Sequence, residues 1–380
     1  MNGSRVPRPL RVLHVDAGRE WRGGERQLLL LAQGLRARGV EPLVAAPPGS
    51  PLLQRCKTDG LATAAVTMRG PFDLLAVRRL RRLIATWQPD VVHAHDGRAQ
   101  TVALAALLGR RRAVPLVVTR RSALRPRGFV RYGPRVARLV AVSEAVRDGL
   151  RAWGVPDARI TVAHPAVSAR APERPRDWRV ECGWTAATVV LGVVGPVTQG
   201  ANAARLEVLA DAFAEAGAPP GRSAAQTPRT RDPDPAPPVA VVLLGGPAAG
   251  RVTLGRLDAF RAGHVHDVPA ALAGLDLLVH PGGAEGPGTA VLEGLALGVP
   301  CVAFDIGGLG ELVRDGIDGV LVPPDDLAGL AEGVLALARD AGRRARLSAA
   351  ARARAAHFGV DRMVDTVLTA YRDVLERSGV

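Results

Sequence analysis

Aromatic side chains are scarce in this sequence and make up only 3% of its 380 residues. A hydrophobic content of 47% still allows buried cores, which aliphatic side chains and alanine must then fill. Cysteine is also rare, and Cys56, Cys182 and Cys301 show neither the spacing of a metal site nor that of a disulfide framework. The sequence therefore indicates a globular protein of a reducing compartment.

Long apolar runs are missing as well. No stretch of about 18 uncharged apolar residues occurs, so we predict no transmembrane helix. Residues 1–10 contain arginine without an apolar segment behind it, which is not typical of a signal peptide. We expect a cytoplasmic protein, with peripheral contact to the inner face of the cell membrane as a further expectation.

Positive charge comes almost entirely from arginine and is concentrated in the first half. Residues 1–175 contain 31 Lys and Arg against 12 Asp and Glu, whereas residues 176–380 contain 19 against 24. A basic first half attracts an anionic membrane surface or an anionic acceptor. It would also suit nucleic acid, but no helix-turn-helix, zinc-finger or aromatic-plus-basic pattern accompanies it, and we expect no nucleic-acid partner.

Apolar segments alternate with helical patterns in two successive series, which predicts an α/β protein with parallel sheets covered on both faces. In the first series, the segments predicted as strands are Arg11–Val15, Pro42–Ala46, Asp90–Ala94, Leu116–Thr119, Leu139–Val142 and Ile160–Ala163. In the second they are Val189–Val194, Val239–Leu244, Leu275–Val279 and Val299–Phe304.

Changes in composition predict the domain boundaries. We expect a first Rossmann-like domain over 1–166, a linker over 167–186 and a second domain over 187–359. Within the second domain, residues 218–238 are dense in Pro, Ser, Arg and Asp, which is typical of a disordered insertion. Residues 360–380 are predicted to be an amphipathic C-terminal helix.

The most informative stretch is 280–298, His-Pro-Gly-Gly-Ala-Glu-Gly-Pro-Gly-Thr-Ala-Val-Leu-Glu-Gly-Leu-Ala-Leu-Gly. An apolar run leads into a glycine-rich turn that opens onto a helix at about Thr289. Free N–H groups and the positive end of the helix dipole suit a diphosphate. Glu285 in the turn and Glu293 on the helix would repel phosphate and suit sugar hydroxyls better. The combination indicates a nucleotide-sugar site, although the glutamate spacing alone also fits an ordinary strand-helix unit.

This stretch resembles the donor-binding signature of glycosyltransferase family 4, retaining enzymes of the GT-B fold. Later features extend the resemblance, since Gly298-Val299-Pro300, Gly307-Gly308 and Val322-Pro323-Pro324-Asp325 follow in the family's order. It implies two Rossmann-like domains facing a cleft, with the C-terminal helix returning to the first. Glu285 is then expected to contact the transferred sugar and Glu293 the ribose, with further donor contacts from Gly286, Pro287, Gly288, Thr289 and Gly195.

Two elements of the first half fit the same resemblance. Val91-Val92-His93-Ala94-His95-Asp96 ends a predicted strand, and His95 takes the position of the family histidine that touches the donor sugar. Asp96 would orient His95 or contact the acceptor. Gly23 and Gly24 resemble the first-loop glycines that let the backbone approach phosphate or acceptor. Two histidines at this spacing without a third ligand are a weak metal signal, so we expect no metal.

The chain departs from the family at the diphosphate site. Pro196 and Ala201 stand where active members carry an arginine and a lysine. Loss of two cations beside a developing diphosphate charge should cost several kcal/mol of transition-state stabilisation. Arg205, about one helical turn further on, is the expected substitute.

The resulting prediction is a retaining glycosyltransferase that moves a sugar from a UDP- or GDP-sugar to a glycan or glycolipid, in cell-surface polysaccharide or lipopolysaccharide biosynthesis. The resemblance implies that the donor phosphate deprotonates the acceptor hydroxyl, with neither metal nor other cofactor. Two alternatives stay open because of Pro196 and Ala201: a non-catalytic partner protein with the GT-B fold, and a nucleotide-sugar epimerase.

Overall fold

The computed structural model describes residues 8–70, 73–109, 113–122, 132–168, 171–194, 201–217, 237–255, 257–265, 267–282 and 288–377. The chain divides into two compact units. Unit 1 contains residues 1–166 and 358–380, and unit 2 contains residues 167–357. Each unit is built around its own sheet. Across the described ranges, no helix is long and apolar enough to cross a membrane.

The sheet of unit 1 has seven strands in the order β3-β2-β1-β4-β5-β6-β7, and every neighbouring pair is parallel. Strand order reverses between β1 and β4, so a topological switch point lies at the carboxyl ends of these two strands. The strands are β1 Arg11–Val15, β2 Glu41–Ala46, β3 Ala62–Ala65, β4 Val91–Ala94, β5 Leu116–Arg120, β6 Val136–Ala141 and β7 Ile160–Val162.

Helices cover both faces of this sheet. They are α1 Gly23–Ala37, α2 Pro51–Thr58, α3 Leu74–Trp87, α4 Gly97–Leu107 and α5 Glu144–Ala152. Helix α4 begins at Gly97, because the Asp96 side chain accepts from the N–H groups of Arg98 and Ala99 and caps the helix there.

The C-terminal helix α13, Val360–Arg377, belongs to unit 1. Its apolar stripe, including Val364, Val367 and Tyr371, is buried with Leu31 and Leu35 of α1 against the sheet. Ion pairs flank this contact: Arg38 bonds to Asp361 and Asp365, and the buried Arg138 bonds to Asp373 at 3.1 Å. The return of the last helix to the first half of the chain, implied by the resemblance, is therefore confirmed.

The sheet of unit 2 has six strands in the order β10-β9-β8-β11-β12-β13. The strands are β8 Val189–Val194, β9 Val239–Leu254, β10 Leu257–Gly263, β11 Leu277–His280, β12 Cys301–Phe304 and β13 Gly319–Val322. The expectation of a wholly parallel sheet is wrong at one edge, because β10 pairs antiparallel with β9 in a long hairpin. A second switch point lies between β8 and β11.

The helices of unit 2 are α6 Trp178–Cys182, α7 Ala201–Gly217, α8 Val268–Ala273, α9 Thr289–Leu297, α10 Leu309–Leu312, α11 Leu327–Arg339 and α12 Ala341–Ala355. Trp178 is fully buried and donates to the carbonyl oxygen of Ala271 at 2.9 Å. Part of the segment predicted as a linker, 167–186, is thus packed into unit 2. Of the predicted insertion 218–238, all but the last two residues lie outside the described ranges.

Candidate active site

The two switch points mark where ligands bind in sheets of this kind, beyond the carboxyl ends of the strands. In unit 1, the chain leaves β1 at Asp16 and leaves β4 at His95. In unit 2, β8 ends at Val194 and β11 ends at His280.

On one face of unit 1, the sheet becomes polar toward its carboxyl edge. Val12 and Val91 lie in the apolar cluster that α1 and α13 cover. Because side chains of a strand alternate in direction, His14 and His93, two residues further on, face the same way. They are partners in the register of β1 and β4. A layer of buried imidazoles thus lies directly beneath the predicted site residue His95.

Three histidines contact one another in this layer. Nδ1 of His14 lies 3.0 Å from Nε2 of His95, and the His93 and His95 rings have centroids 4.1 Å apart. His93 is held on both sides, by the Tyr371 hydroxyl at 2.6 Å and the Thr119 hydroxyl at 2.8 Å. Burial lowers the pKa of all three imidazoles, that of His14 to about 3. The rings are therefore neutral at neutral pH.

The predicted orienting role of Asp96 is wrong. Its carboxylate accepts from the backbone N–H of Ala17 at 2.6 Å and caps α4. The hydrogen-bond partner of His95 is instead His14, which had no assigned role. Asp96 ties the loop after β1 to the loop after β4 and shapes the edge without orienting the histidine.

The loop after β1 contributes a second buried acid. Asp16 is fully buried and accepts from the N–H of Gly18 at 2.8 Å, whereas its other oxygen, Oδ2, has no hydrogen-bond partner within the described ranges. Burial, reinforced by the charge of Asp96, raises the pKa of Asp16 to about 7, against the opposing charge of Arg121. A carboxyl poised between its two protonation states therefore lies at the switch point.

Gly23 and Gly24 begin α1 and do not form a separate loop. A Cβ on Gly24 would collide with the guanidinium of Arg121, which donates to the Gly24 carbonyl oxygen at 2.8 Å. Glu25 accepts from the N–H of Arg22 at 3.0 Å. Glycine is needed at 24 because it allows an arginine from the end of β5 to contact the start of α1.

The histidine layer is also a candidate metal cluster within the described residues, since one nitrogen each from His14, His93 and His95 lies within 4.8 Å of the others. The donor set fits poorly, however. Both nitrogens of His93 already bond to hydroxyls, so a metal would have to displace Tyr371 or Thr119. The absence of a metal requirement stays a prediction.

In unit 2, His280 is the last residue of β11 and lies at the start of the glycine-rich turn. Burial lowers the pKa of this imidazole to about 4. Gly282 lies against the ring, and a Cβ there would come within 3.2 Å of Nε2. Glu285, Gly286 and Pro287 lie outside the described residues, as does Gly195 at the end of β8. Their predicted roles remain untested.

The chain re-enters the described part at Gly288, immediately before α9. Gly288 has φ +64°, a left-handed conformation, and a Cβ there would approach Leu309 to 2.6 Å. Glycine is therefore required to turn the chain into the helix beginning at Thr289. Glu293 lies in the second turn of α9 and is 6% exposed. Because this carboxylate does not face bulk water, the structure leaves its predicted ribose contact open to test.

Arg205 of α7 lies at the same edge. It donates to the carbonyl oxygen of Pro281 at 3.2 Å, stacks over Phe304 with 5.7 Å between the guanidinium carbon and the ring centroid, and forms an ion pair with Asp325. These three partners follow or end β11, β12 and β13. Arg205 is thus a cation at the carboxyl edge of the sheet, four residues after Ala201 at the start of α7.

The architecture of the two units, each a doubly wound α/β sheet with its own switch point, is that of the GT-B fold. Two family models match the chain: one described as Glycosyltransferase Family 4 over residues 21–170, and one described as Glycosyl transferases group 1 over residues 189–340. Between them they match most of both units. The chain belongs to the family 4 type of glycosyltransferases.

Solved structures agree on the fold. HepE of Anabaena, in complex with UDP-glucose, superposes with a TM-score of 0.76 at 20% identity, over 96% of this chain and 100% of that one. Sucrose-phosphate synthase of Thermosynechococcus elongatus gives a TM-score of 0.73 at 17% identity, over 97% and 100%.

Among curated sequences, the D-inositol 3-phosphate glycosyltransferase of Salinispora tropica is 36% identical over 161 residues. That match covers 39% of this chain and 33% of the relative, so the chain spans about a third of the length of this curated relative. A second enzyme of that name, from Salinispora arenicola, is 35% identical over 165 residues, 40% of this chain and 37% of the relative.

Proposed function

We propose that this protein is a retaining glycosyltransferase that takes a sugar from a nucleotide-sugar donor, with UDP-glucose as the first candidate. The observation that carries the proposal is the carboxyl edge of the unit 2 sheet. There, Arg205 supplies a positive charge beside Pro281, and the helix entered through Gly288 holds the buried Glu293. A cation and a shielded carboxylate are what a diphosphate and a ribose require.

Each group then has a separate role. Arg205 and the N–H groups at the start of α9 stabilise the negative charge that grows on the diphosphate as the sugar leaves. Glu293 accepts hydrogen bonds from ribose hydroxyls, and Glu285 holds the transferred sugar. The donor phosphate takes the proton of the acceptor hydroxyl on the face from which the diphosphate departs, so the anomeric configuration is retained and no protein base is required.

Unit 1 is proposed to bind the acceptor and to contribute His95 as a ligand contact. The names of the relatives point to a phosphorylated polyol as acceptor, and the basic composition of residues 1–175 suits any anionic acceptor. A glycolipid or glycan of the cell surface is the second acceptor class, which the same basic surface would bring to an anionic membrane.

The test begins with donor binding. We expect UDP-glucose, from a panel with UDP-N-acetylglucosamine and GDP-mannose, to raise the melting temperature of the protein and to bind measurably by calorimetry. Turnover is then followed as UDP release with D-inositol 3-phosphate or with lipid-extracted acceptors, and NMR of the product gives the anomeric configuration. Glu332→Gln, an exposed carboxylate on α11, is the matched control for Glu293→Gln.

The outcomes separate the alternatives. Transfer with retained configuration supports the proposal. The lack of nucleotide binding across the panel contradicts it and favours a non-catalytic partner that has lost the diphosphate site with Pro196 and Ala201. Conversion of the donor into another UDP-sugar without any acceptor would indicate an epimerase.

A further inference from the structure

The His14 ring lies behind His95 and contacts it through a single hydrogen bond. His14 Nδ1 and His95 Nε2 are 3.0 Å apart, and both rings are buried. The second nitrogen of His14, Nε2, is sealed from solvent and has no hydrogen-bond partner among the residues that the structure describes. His14 thus contributes one polar contact to its surroundings, and that contact is directed at His95.

Either His14 or His95 can be the donor in this hydrogen bond. A neutral imidazole carries one N–H, so if one nitrogen accepts a hydrogen bond, the other nitrogen must carry the proton. If His95 donated from Nε2, His14 would hold its own proton on Nε2, where the described part of the chain offers no acceptor. Sealed N–H groups without an acceptor are rare, whereas an unused lone pair is tolerated more often. The arrangement therefore favours donation from Nδ1 of His14.

The consequence falls on His95. When its Nε2 accepts from His14, its own proton must lie on Nδ1. Among the described residues, no hydrogen bond is formed by that nitrogen, so it is available to a ligand. His93 stacks on the same ring and is itself held by Tyr371 and Thr119, which restricts rotation of His95 without choosing its tautomer.

We propose that His14 is a positioning residue that holds His95 in its Nδ1–H tautomer, so that His95 acts as a hydrogen-bond donor to an oxygen of the bound sugar. The inference rests on the proposed function for the identity of the ligand, but not for the tautomer itself. It differs from the role of a carboxylate partner, because a neutral imidazole that donates the hydrogen bond leaves His95 uncharged.

The tautomer is measured by NMR of the full-length protein labelled with ¹⁵N-histidine at pH 7.5, where Nδ1–H and Nε2–H imidazoles give distinct patterns. The His95 signal among the eight histidines is assigned by its loss in His95→Gln. His14→Asn keeps an N–H near the place of Nδ1, whereas His14→Leu removes it with similar volume. Tyr371→Phe is the matched control, because it deletes a buried hydroxyl from the same layer without removing the bond to His95.

We expect wild type and His14→Asn to show His95 protonated at Nδ1, and His14→Leu to show a mixture of tautomers. With UDP-glucose as the probe and UDP release as the readout, His14→Leu should lower kcat roughly tenfold or more, with little change in KM. His14→Asn and Tyr371→Phe should stay within about threefold of wild type. Melting curves check that each variant is folded.

Three results would overturn the inference: a wild-type His95 protonated at Nε2, a His14→Leu enzyme with unchanged tautomer and kcat, or stoichiometric zinc in the purified protein with His14 as a ligand. The proposed function fails separately. UDP-glucose could fail to bind and to turn over while NMR still shows His95 protonated at Nδ1 only when residue 14 is His or Asn. That result would support the positioning role of His14 and contradict the assigned substrate.

Discussion

The guanidinium of Arg205 donates to the carbonyl oxygen of Pro281 at 3.2 Å, linking the first turns of α7 to the residue that follows β11. Pro281 opens the glycine-rich turn, so this bond places a cation beside the segment expected to receive the diphosphate. The side chain also forms an ion pair with Asp325, whose φ of +63° is unusual for a residue other than glycine. Asp325 is a protein carboxylate in a place where a phosphate would compete for the same arginine.

Replacing Arg205 by alanine should weaken UDP binding about tenfold to a hundredfold, because a charge-assisted contact to a diphosphate contributes about 1.5–3 kcal/mol. Arg205→Lys should retain part of the affinity as a point charge. Calorimetric titration with UDP measures both. Arg346→Ala, an exposed arginine on α12, is the control and should bind UDP as wild type does. Equal affinity in Arg205→Ala and wild type would exclude Arg205 from the diphosphate site.

Replacing Asp325, the ion-pair partner of Arg205, should have the opposite effect on UDP affinity. Asp325→Asn removes the competing negative charge, and asparagine tolerates the left-handed backbone at this position. UDP should therefore bind several-fold more tightly than to wild type, and the gain should shrink at high salt because screening weakens the charge that was removed. Titrations at two salt concentrations test this. A weaker complex would show that Asp325 holds Arg205 in place for the ligand.

Much of this architecture could be predicted from the sequence. Alternating apolar and helical segments predict the two parallel sheets, and the resemblance implies the return of the last helix. The hairpin of β9 and β10 was not predicted, because Gly245, Gly246 and Pro247 are typical of the end of a strand. In the structure, β9 continues through them to Leu254. Pairing with β10 at the sheet edge outweighs the low strand propensity of glycine and proline here.

Within the site, motif spacing pointed to His95, Glu293 and Arg205, but their supporting residues were missed. His14 lies on β1 and Asp16 follows it, and only the register of β1 with β4 brings His14 beside His95 and Asp16 to the same edge of the sheet. A one-residue change of register would turn their side chains to the other face of the sheet. The one available signal was a pair of polar residues two positions apart, His14 in β1 and Asp16 just after it, at the end of a strand that should be wholly apolar.

Glu293→Gln should reduce UDP affinity, because a neutral amide accepts fewer and weaker hydrogen bonds from ribose hydroxyls than a carboxylate does. A loss of about 1–3 kcal/mol, or roughly five- to a hundredfold in Kd, is expected. Comparing UDP with uracil nucleotides that lack the 2′-hydroxyl sharpens the measurement, since the variant should lose its discrimination between them. If wild type does not distinguish the two nucleotides, Glu293 is not the ribose contact.

Docking of the C-terminal helix should dominate the stability of unit 1. Tyr371 is fully buried and bonds to Nδ1 of His93, so Tyr371→Ala leaves both a cavity and a buried imidazole nitrogen without its partner, at about 3–5 kcal/mol. Arg372→Ala, the next residue on the same helix, is the control and should shift the unfolding midpoint little. Hydrogen exchange along β4 and β5 would report the loss locally. Equal protection in both variants would contradict this role.

Asp16 should give unit 1 a stability that falls as pH rises. Its pKa is about 7 in the folded protein and 3.8 in the unfolded chain. Below pH 3.8 both forms are protonated and Asp16 contributes nothing. Between 3.8 and 7 the folded form keeps a proton that the unfolded chain has lost, so the free energy of unfolding decreases, and above 7 the full penalty remains.

Asp16→Asn removes this penalty, so the variant should be more stable than wild type at pH 8 and nearly equal to it at pH 4. The difference between about 7 and 3.8 corresponds to an upper limit of about 4 kcal/mol. Buried histidines act in the opposite direction: burial lowers the pKa of His14 to about 3, so its protonation destabilises the fold progressively below pH 6.5. That effect is common to both proteins and cancels in their difference.

Urea unfolding of the two proteins from pH 4 to pH 8, with the exposed Asp148→Asn as control, measures how their difference in unfolding free energy changes with pH. A difference that stays constant over this range would mean that Asp16 ionises in the folded protein as it does in the unfolded chain.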